Sequence, residues 1–183
     1  MPKITGGSLR SRKLGSPKGN NVRPTPGRVK EALFSILASR IDGARFLDLF
    51  AGTGAIGFEA ASRGASRVVA VEGHRETAEA IVQAAEAFHV QDVVEVVAAP
   101  VDRALYRLEG PFDIVFADPP YADDLPLQMF KLLLERKLLA DGAVVIFEHS
   151  ARTILPQIAG YRGAREEVYG DVALAFFEAV AQP

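Results

Sequence analysis

From residue 44 to residue 150 the chain repeats one pattern: a short run that is apolar at nearly every position, then a longer stretch of helical periodicity. The runs are RFLDLF (45 to 50), RVVAVEG (67 to 73), VVEVVAA (93 to 99), FDIVFAD (112 to 118) and GAVVIFEHS (142 to 150). The stretches that follow the first four predict helices near 55 to 63, 75 to 88, 101 to 107 and 125 to 138. A strand apolar on both faces must be covered on both, and strands separated by helices run parallel. The pattern therefore predicts an α/β chain with a doubly wound, mostly parallel sheet between two helical layers. The end differs: YRGAREEVYGDVALAFFEA holds two strand-like runs meeting at Gly170-Asp171, which predicts an antiparallel hairpin on the sheet edge and brings the strands to seven. With 183 residues, 49% of them hydrophobic, the chain suits one domain with an ordinary core.

A net charge of -2 conceals a division. Residues 1 to 30 hold Lys3, Arg10, Arg12, Lys13, Lys18, Arg23, Arg28 and Lys30 and no acid, so the remaining 13 bases face all 23 acids. A basic end on an acidic body suits contact with a phosphate backbone through one segment. Ile4, Leu9, Leu14 and Val22 are spread through that segment and Gly6-Gly7 offers a tight turn, so the expectation is an ordered β-hairpin arm over residues 1–24 rather than a loose tail. In RPTPGRVKEALFSIL the arm gives way to the body at 25–183. Thr25 is placed to cap a helix beginning at Pro26, with Val29, Leu33, Ile36 and Leu37 on its inner face and Arg28, Lys30 and Glu31 on its outer one.

Several chemistries are excluded or disfavoured. Without cysteine there is no disulfide, no thiolate metal site and no cysteine nucleophile. His74, His89 and His149 share no spacing that suggests a metal pair, and each reads as an ordinary surface or core histidine. No apolar run approaches the ~20 residues of a membrane span. The start, MPKITGG, lacks the apolar core of a signal peptide, so a cytoplasmic protein is expected. No large apolar stripe marks a subunit interface, and a monomer is expected.

Two motifs carry the chemistry. In LDLFAGTGAIGFEAASRGA, Gly52, Gly54 and Gly57 follow a G-x-G-x-x-G spacing between strand and helix, and Glu72 ends the next strand 20 residues after Gly52. Glycines let the backbone approach a ligand, the helix start offers free amides, and the acid can accept hydrogen bonds from ribose hydroxyls. This combination indicates an adenosine-containing cofactor. Asp48, four residues before the first glycine, suits the ammonium group of S-adenosylmethionine better than a pyrophosphate, or else bonds the glycine loop itself. Phe50 and Asp118 are assigned to the same cofactor site.

FDIVFADPPYADD is the second motif. The fourth strand of a doubly wound sheet ends beside the switch point where ligands bind. Asp118 and the carbonyl of Pro119 form a pair of acceptors that can hold both hydrogens of an exocyclic amine. Pro120 stiffens the turn. Tyr121 supplies a flat surface for a flipped-out base, a contact of about 1 to 3 kcal/mol.

These residues are familiar together. DPPY at 118 to 121 resembles the [DNS]-P-P-[YFW] motif of amino-methyltransferases that act on nucleobases. ITGGSLRSRKL (4 to 14), RPTPGRVKEALFSIL (23 to 37) and FLDLFAGTGAIGFEAASRGA (46 to 65) are similar to the RsmD family, the 16S ribosomal RNA guanine-N2 methyltransferases, and the similarity covers nearly the whole chain. The resemblance implies a Rossmann-like class I methyltransferase fold and transfer of a methyl group from S-adenosylmethionine to a guanine N2 amine in small-subunit rRNA, with the small ribosomal subunit as partner and no metal. It carries the donor site to Asp48, Gly52, Gly54 and Glu72, the amine and base site to Asp118, Pro119, Pro120 and Tyr121, and the RNA side to Arg10, Arg12, Lys13 and Arg23, to which Arg28 is added. Two positions depart from the family pattern. Gly27 stands where members often carry an acid, and Ala99 where they often carry Asp or Asn for the adenine amine, which leaves that contact to Ala99 and Pro100 backbone groups or to Asp102.

Three other functions compete. An adenine-N6 methyltransferase shares the Pro-Pro motif. An NAD-dependent oxidoreductase shares the glycine loop, although only His149 lies at a strand end near the switch point. A non-catalytic RNA-binding protein would not require an intact DPPY.

Overall fold

A computed structural model describes residues 2–15, 25–120 and 125–180. Its seven strands are β1 (Arg45–Leu49), β2 (Arg67–Glu72), β3 (Val94–Ala98), β4 (Phe112–Ala117), β5 (Leu139–Ser150), β6 (Tyr161–Tyr169) and β7 (Val172–Ala179). Five helices interleave: α1 (Gly27–Ile36), α2 (Ala55–Ser62), α3 (Arg75–Ala87), α4 (Val101–Leu105) and α5 (Leu125–Glu135). All the strands form one sheet in the order β3-β2-β1-β4-β5-β7-β6. The first five strands pair in parallel, whereas β7 pairs antiparallel with both β5 and β6. The expected doubly wound sheet with its antiparallel hairpin is therefore present.

Alternation along the buried strands divides the core in two. Phe46, Val68, Phe116 and Ile146 face Leu33, Phe34, Phe58 and Ile81, so α1, α2 and α3 cover one side. Leu47, Val69, Val115 and Val145 face Leu105, Phe130 and Leu133, so α4 and α5 cover the other. The chain winds outward from β1 to β3 and then returns to place β4 on the free side of β1, leaving a crevice beyond the ends of β1 and β4. Edge strand β6 is mostly exposed, charged at Arg162, Arg165, Glu166 and Glu167, and bulged between Gly163 and Arg165, features that discourage pairing with another sheet.

Three local expectations are corrected. Thr25 does not cap α1, whose N-cap is Pro26 without a side-chain hydrogen bond; the Thr25 hydroxyl donates to Oε2 of Glu148 at 3.0 Å, because a buried carboxylate is the stronger acceptor. Lys30 is not on an outer face but buried, since the N-terminal segment packs over it. Residues 2–15 of the expected arm, the part within the described residues, form no hairpin: their β pairing is a single bridge, Lys3 with Lys13, and their turn lies at residues 8 to 11. Gly6-Gly7 instead lies flat on α2. Gly7 has φ +72°, and a Cβ there would stand 1.8 Å from the Ser62 carbonyl oxygen, so the close approach needs glycine.

Candidate active site

The glycine loop is built by its own backbone and by two acids. Beyond β1 the chain passes through left-handed conformations at Phe50 (φ 65°), Gly52 (φ 54°) and Gly54 (φ 75°) before α2 begins at Ala55. A Cβ at Gly54 would come within 2.9 Å of the Phe58 ring. Glu72, at the end of β2, ties the loop down: Oε2 accepts the Gly52 amide at 2.8 Å and Oε1 the His74 amide at 2.8 Å. Each oxygen keeps acceptor capacity on its open side. Phe50 is half-buried against the α4 and α5 side of the core.

Asp48 is buried in β1, and its Oδ2 accepts the Gly57 amide at 2.9 Å, so it braces the first turn of α2. Burial pushes its carboxyl up to about 8; the Gly57 amide opposes this, while the charges of Asp118 and Glu72 add to it. Burial likewise pushes Asp118 up to about 6. Three carboxylates from the ends of adjacent strands β2, β1 and β4 thus crowd one crevice, with Glu72 and Asp118 both disfavouring the ionisation of Asp48. Among the described residues no His, Cys, Asp and Glu group could hold a metal ion. A cation placed in the crevice would relieve such crowding. The loop fits the amino-acid end of S-adenosylmethionine: amides at a helix start for its carboxylate, and acids for its ammonium and sulfonium.

Asp118 follows Ala117 directly at the mouth of β4, with Pro119 buried and Pro120 exposed. Tyr121 lies outside the described residues, as does Arg23. Ala99 follows the last residue of β3, its amide donating to the Val97 carbonyl at 3.0 Å. Gly73, next after Glu72, lies close to Pro100 and Ala99, which brings the ends of β2 and β3 together. Asp102 is exposed in the first turn of α4.

The basic residues fall into two places. Arg10, Arg12 and Lys13 are exposed on the docked segment 2–15, with the Arg12 guanidinium 5.8 Å from the centre of the Phe88 ring. Arg28 is exposed at the start of α1, beside Gly170 in the turn between β6 and β7.

Two polar clusters escaped the reading of the sequence. One joins Glu59 and Lys30, whose Nζ lies 2.8 Å from Oε2, beneath the N-terminal segment. Glu59 is the one charged residue in the otherwise small and apolar AIGFEAAS, and Lys30 precedes Phe34 and Leu37 by four and seven positions, so both signals were present. The other is His149, stacked on Phe147 with its Nε2 3.2 Å from a Glu166 oxygen across the sheet edge.

A seven-stranded doubly wound sheet with a reversed last hairpin, a glycine loop after β1, an acid ending β2 and Asp-Pro-Pro after β4 define a Rossmann-like class I methyltransferase fold. A family model described as Conserved hypothetical protein 95 matches residues 2–178. Ribosomal RNA small subunit methyltransferase D of Escherichia coli (strain K12) is 35% identical over 181 residues, covering 98% of this chain and 91% of that one. Among solved structures, the putative methyltransferase yhhF from Escherichia coli superposes with a TM-score of 0.89 at 34% identity over 99% of each chain. An RNA methyltransferase from Salinibacter ruber, solved in complex with S-adenosyl-L-homocysteine, superposes with a TM-score of 0.69 at 18% identity over 87% of this chain and 95% of that one, a likeness that shows the fold alone. The chain belongs to this family, that of ribosomal RNA small subunit methyltransferase D.

Proposed function

We propose that this chain transfers a methyl group from S-adenosylmethionine to the exocyclic N2 amine of one guanine in 16S rRNA, within the assembling or assembled small ribosomal subunit. Kinship over nearly the whole chain supports the reaction class and the RNA. The observation that carries the reading is the convergence of Asp48, Glu72 and Asp118 on the crevice beside the glycine loop. When bound, S-adenosylmethionine supplies a methyl group on a positively charged sulfur.

The chain's own residues do the rest. Gly52 and Gly54 let the backbone close on the donor's amino-acid end, Asp48 balances its ammonium charge, and Glu72 accepts from its ribose. Asp118 and the Pro119 carbonyl each accept one hydrogen from the guanine amine. That arrangement draws the nitrogen lone pair out of conjugation and aims it at the methyl carbon. Methyl transfer, in which the nitrogen-carbon bond would form as the carbon-sulfur bond breaks, would leave the nitrogen cationic, with one proton to lose. Asp118, pushed up to about 6, is basic enough to receive it. Tyr121 stacks on the base. Catalysis comes from orientation and electrostatics, without a covalent enzyme intermediate.

Residues 1–24 act as an RNA-binding arm on a methyltransferase body of 25–183, with Arg10, Arg12, Lys13, Arg23 and Arg28 on the phosphates. The test is mass mapping of small-subunit rRNA from a deletion strain, before and after treatment with the purified protein and methyl donor. One guanine gaining one methyl group is expected. A methyl group on adenine, or none on any base with both naked rRNA and intact subunits, would refute the proposal.

A further inference from the structure

Glu59 is wholly buried, and both of its carboxylate oxygens accept several hydrogen bonds. Its Oε2 takes the Thr5 amide and the Lys30 ammonium, both at 2.8 Å. Its Oε1 takes the Thr5 hydroxyl at 2.9 Å, the Gly6 amide at 2.8 Å and the Arg63 guanidinium at 2.9 Å. A carboxylate offers about four lone-pair sites, so this one is saturated. The Lys30 ammonium also donates to the Lys3 carbonyl at 2.6 Å. One turn along α2, the Ser62 hydroxyl donates to the Gly6 carbonyl and accepts the Leu9 amide at 2.8 Å. The backbone of residues 5 to 9 is thus seated on α2, and the Lys3 carbonyl on Lys30 of α1, by directed polar contacts, and the turn at residues 8 to 11 leads to exposed Arg10, Arg12 and Lys13.

The same helix braces the donor site. Gly57, two residues before Glu59, donates its amide to Asp48. Eight helical residues span about 12 Å, so α2 acts as a short rigid spacer between the crevice and the basic segment. We propose that Glu59 is a positioning residue for RNA: it fixes the arm on α2 so that the three exposed bases meet phosphates at a set distance from the methyl donor. This rests on the reading of the chain as an RNA methyltransferase.

The test uses the full chain with two double substitutions. Lys30→Met with Glu59→Leu removes the buried charges in an apolar exchange that folded proteins commonly tolerate, and it leaves the Thr5 and Gly6 amides without an acceptor. Lys30→Met with Glu59→Gln restores an uncharged acceptor to those amides. For the Leu pair, affinity for S-adenosylhomocysteine stays within about two-fold of the starting protein, and KM for RNA rises about ten-fold with kcat retained. The slope of log affinity against log salt shallows by about 2 to 3, since each phosphate that is no longer neutralised removes about 0.7 to 0.9. The Gln pair recovers most of the affinity and slope. Unchanged KM and slope in the Leu pair would overturn the proposal, and so would equal losses of donor and RNA binding, which would make Glu59 a residue of the fold alone. The slope is read by binding, without turnover. A starting protein that binds RNA steeply but methylates nothing would therefore refute the proposed reaction while the role of Glu59 is still decided.

Discussion

The amide of Gly57 donates to Oδ2 of Asp48 at 2.9 Å, so the first turn of the glycine-loop helix is held by an acid that itself resists ionisation. A group shifted up by burial and by neighbouring acids stores an unfavourable charge, and a cation in the crevice removes that cost. A cationic methyl donor would be matched to the site's electrostatics through this pair.

Affinity for S-adenosylmethionine should rise with pH. Burial pushes the carboxyls of Asp118 and Asp48 up, to about 6 and about 8, so at lower pH binding a cationic ligand must also drive their deprotonation. Calorimetric titrations from pH 5 to pH 7 are expected to show affinity climbing; above about 7 the donor's own α-ammonium begins to lose its proton. Neutral sulfur in S-adenosylhomocysteine makes its dependence shallower. Affinity that is flat or falls over this range contradicts the assignment.

Asp48→Asn should stabilise the free protein in alkali while weakening the donor. For a carboxyl raised in the folded state, the favourable contribution is complete below its unfolded value of 3.8 and is lost as pH rises through about 8. The asparagine oxygen can still accept the Gly57 amide. Thermal melts at pH 9 should show the variant more stable than the parent, by about 2 to 4 °C per kcal/mol regained; a lower Tm would show that the charge is not the cost.

Asp118→Ala is expected to lower kcat by about 10² to 10³, the scale for one preorganised polar contact at a reacting centre. KM for the donor rises too, because Asp118 contributes to the negative charge of the crevice, but far less than kcat falls, because Gly52, Gly54 and Glu72 are untouched. Single-turnover kinetics separate the two effects. Unimpaired methylation would remove the amine-holding mechanism.

Gly54→Ala should impair both fold and donor binding. Its φ of 75° is a left-handed conformation, and the added methyl would stand 2.9 Å from the Phe58 ring. Such strain costs about 1 to 3 kcal/mol. A chemical-denaturation midpoint and donor affinity both unchanged would show that the loop tolerates a side chain.

The acid limb of stability should belong largely to Glu59. Burial pushes its carboxyl up, but the Lys30 ammonium and the Thr5 amide outweigh that and hold it below 4.5. Its contribution is present above the unfolded value and is lost as pH falls through the folded one. The parent protein therefore loses stability below about pH 4.5, and Lys30→Met with Glu59→Gln shows a weaker acid dependence in urea titrations. An identical acid limb in both would place the sensitivity elsewhere.

Periodicity alone was enough for the strand and helix alternation, the hairpin at Gly170-Asp171 and the two-sided burial of β1, β2 and β4, because these depend on spacings of two and of about 3.6 residues along one segment. The glycine loop and Glu72 were legible for a related reason: a parallel sheet brings the ends of neighbouring strands together whenever strand and helix alternate, and Gly52 and Glu72 do meet, at 2.8 Å. Arg10, Arg12 and Lys13 read as exposed bases on an ordered segment, as they are.

Other features needed the third dimension. Lys30 reads as a solvent-facing base until residues 3 to 6 are laid over it, and Thr25 reads as a cap until Glu148, 123 residues away, is brought beside it. The choice for Asp48 between loop brace and ligand contact was open in the sequence, and the fold placed one of its oxygens on Gly57. Local pattern determined the elements, their order and the chemistry at the strand ends, since backbone geometry and hydrophobic spacing act over a few residues. Which polar groups became buried partners was decided only by tertiary packing, because a buried charge is tolerable solely where distant parts of the chain deliver its counter-charge and its hydrogen bonds to the same point.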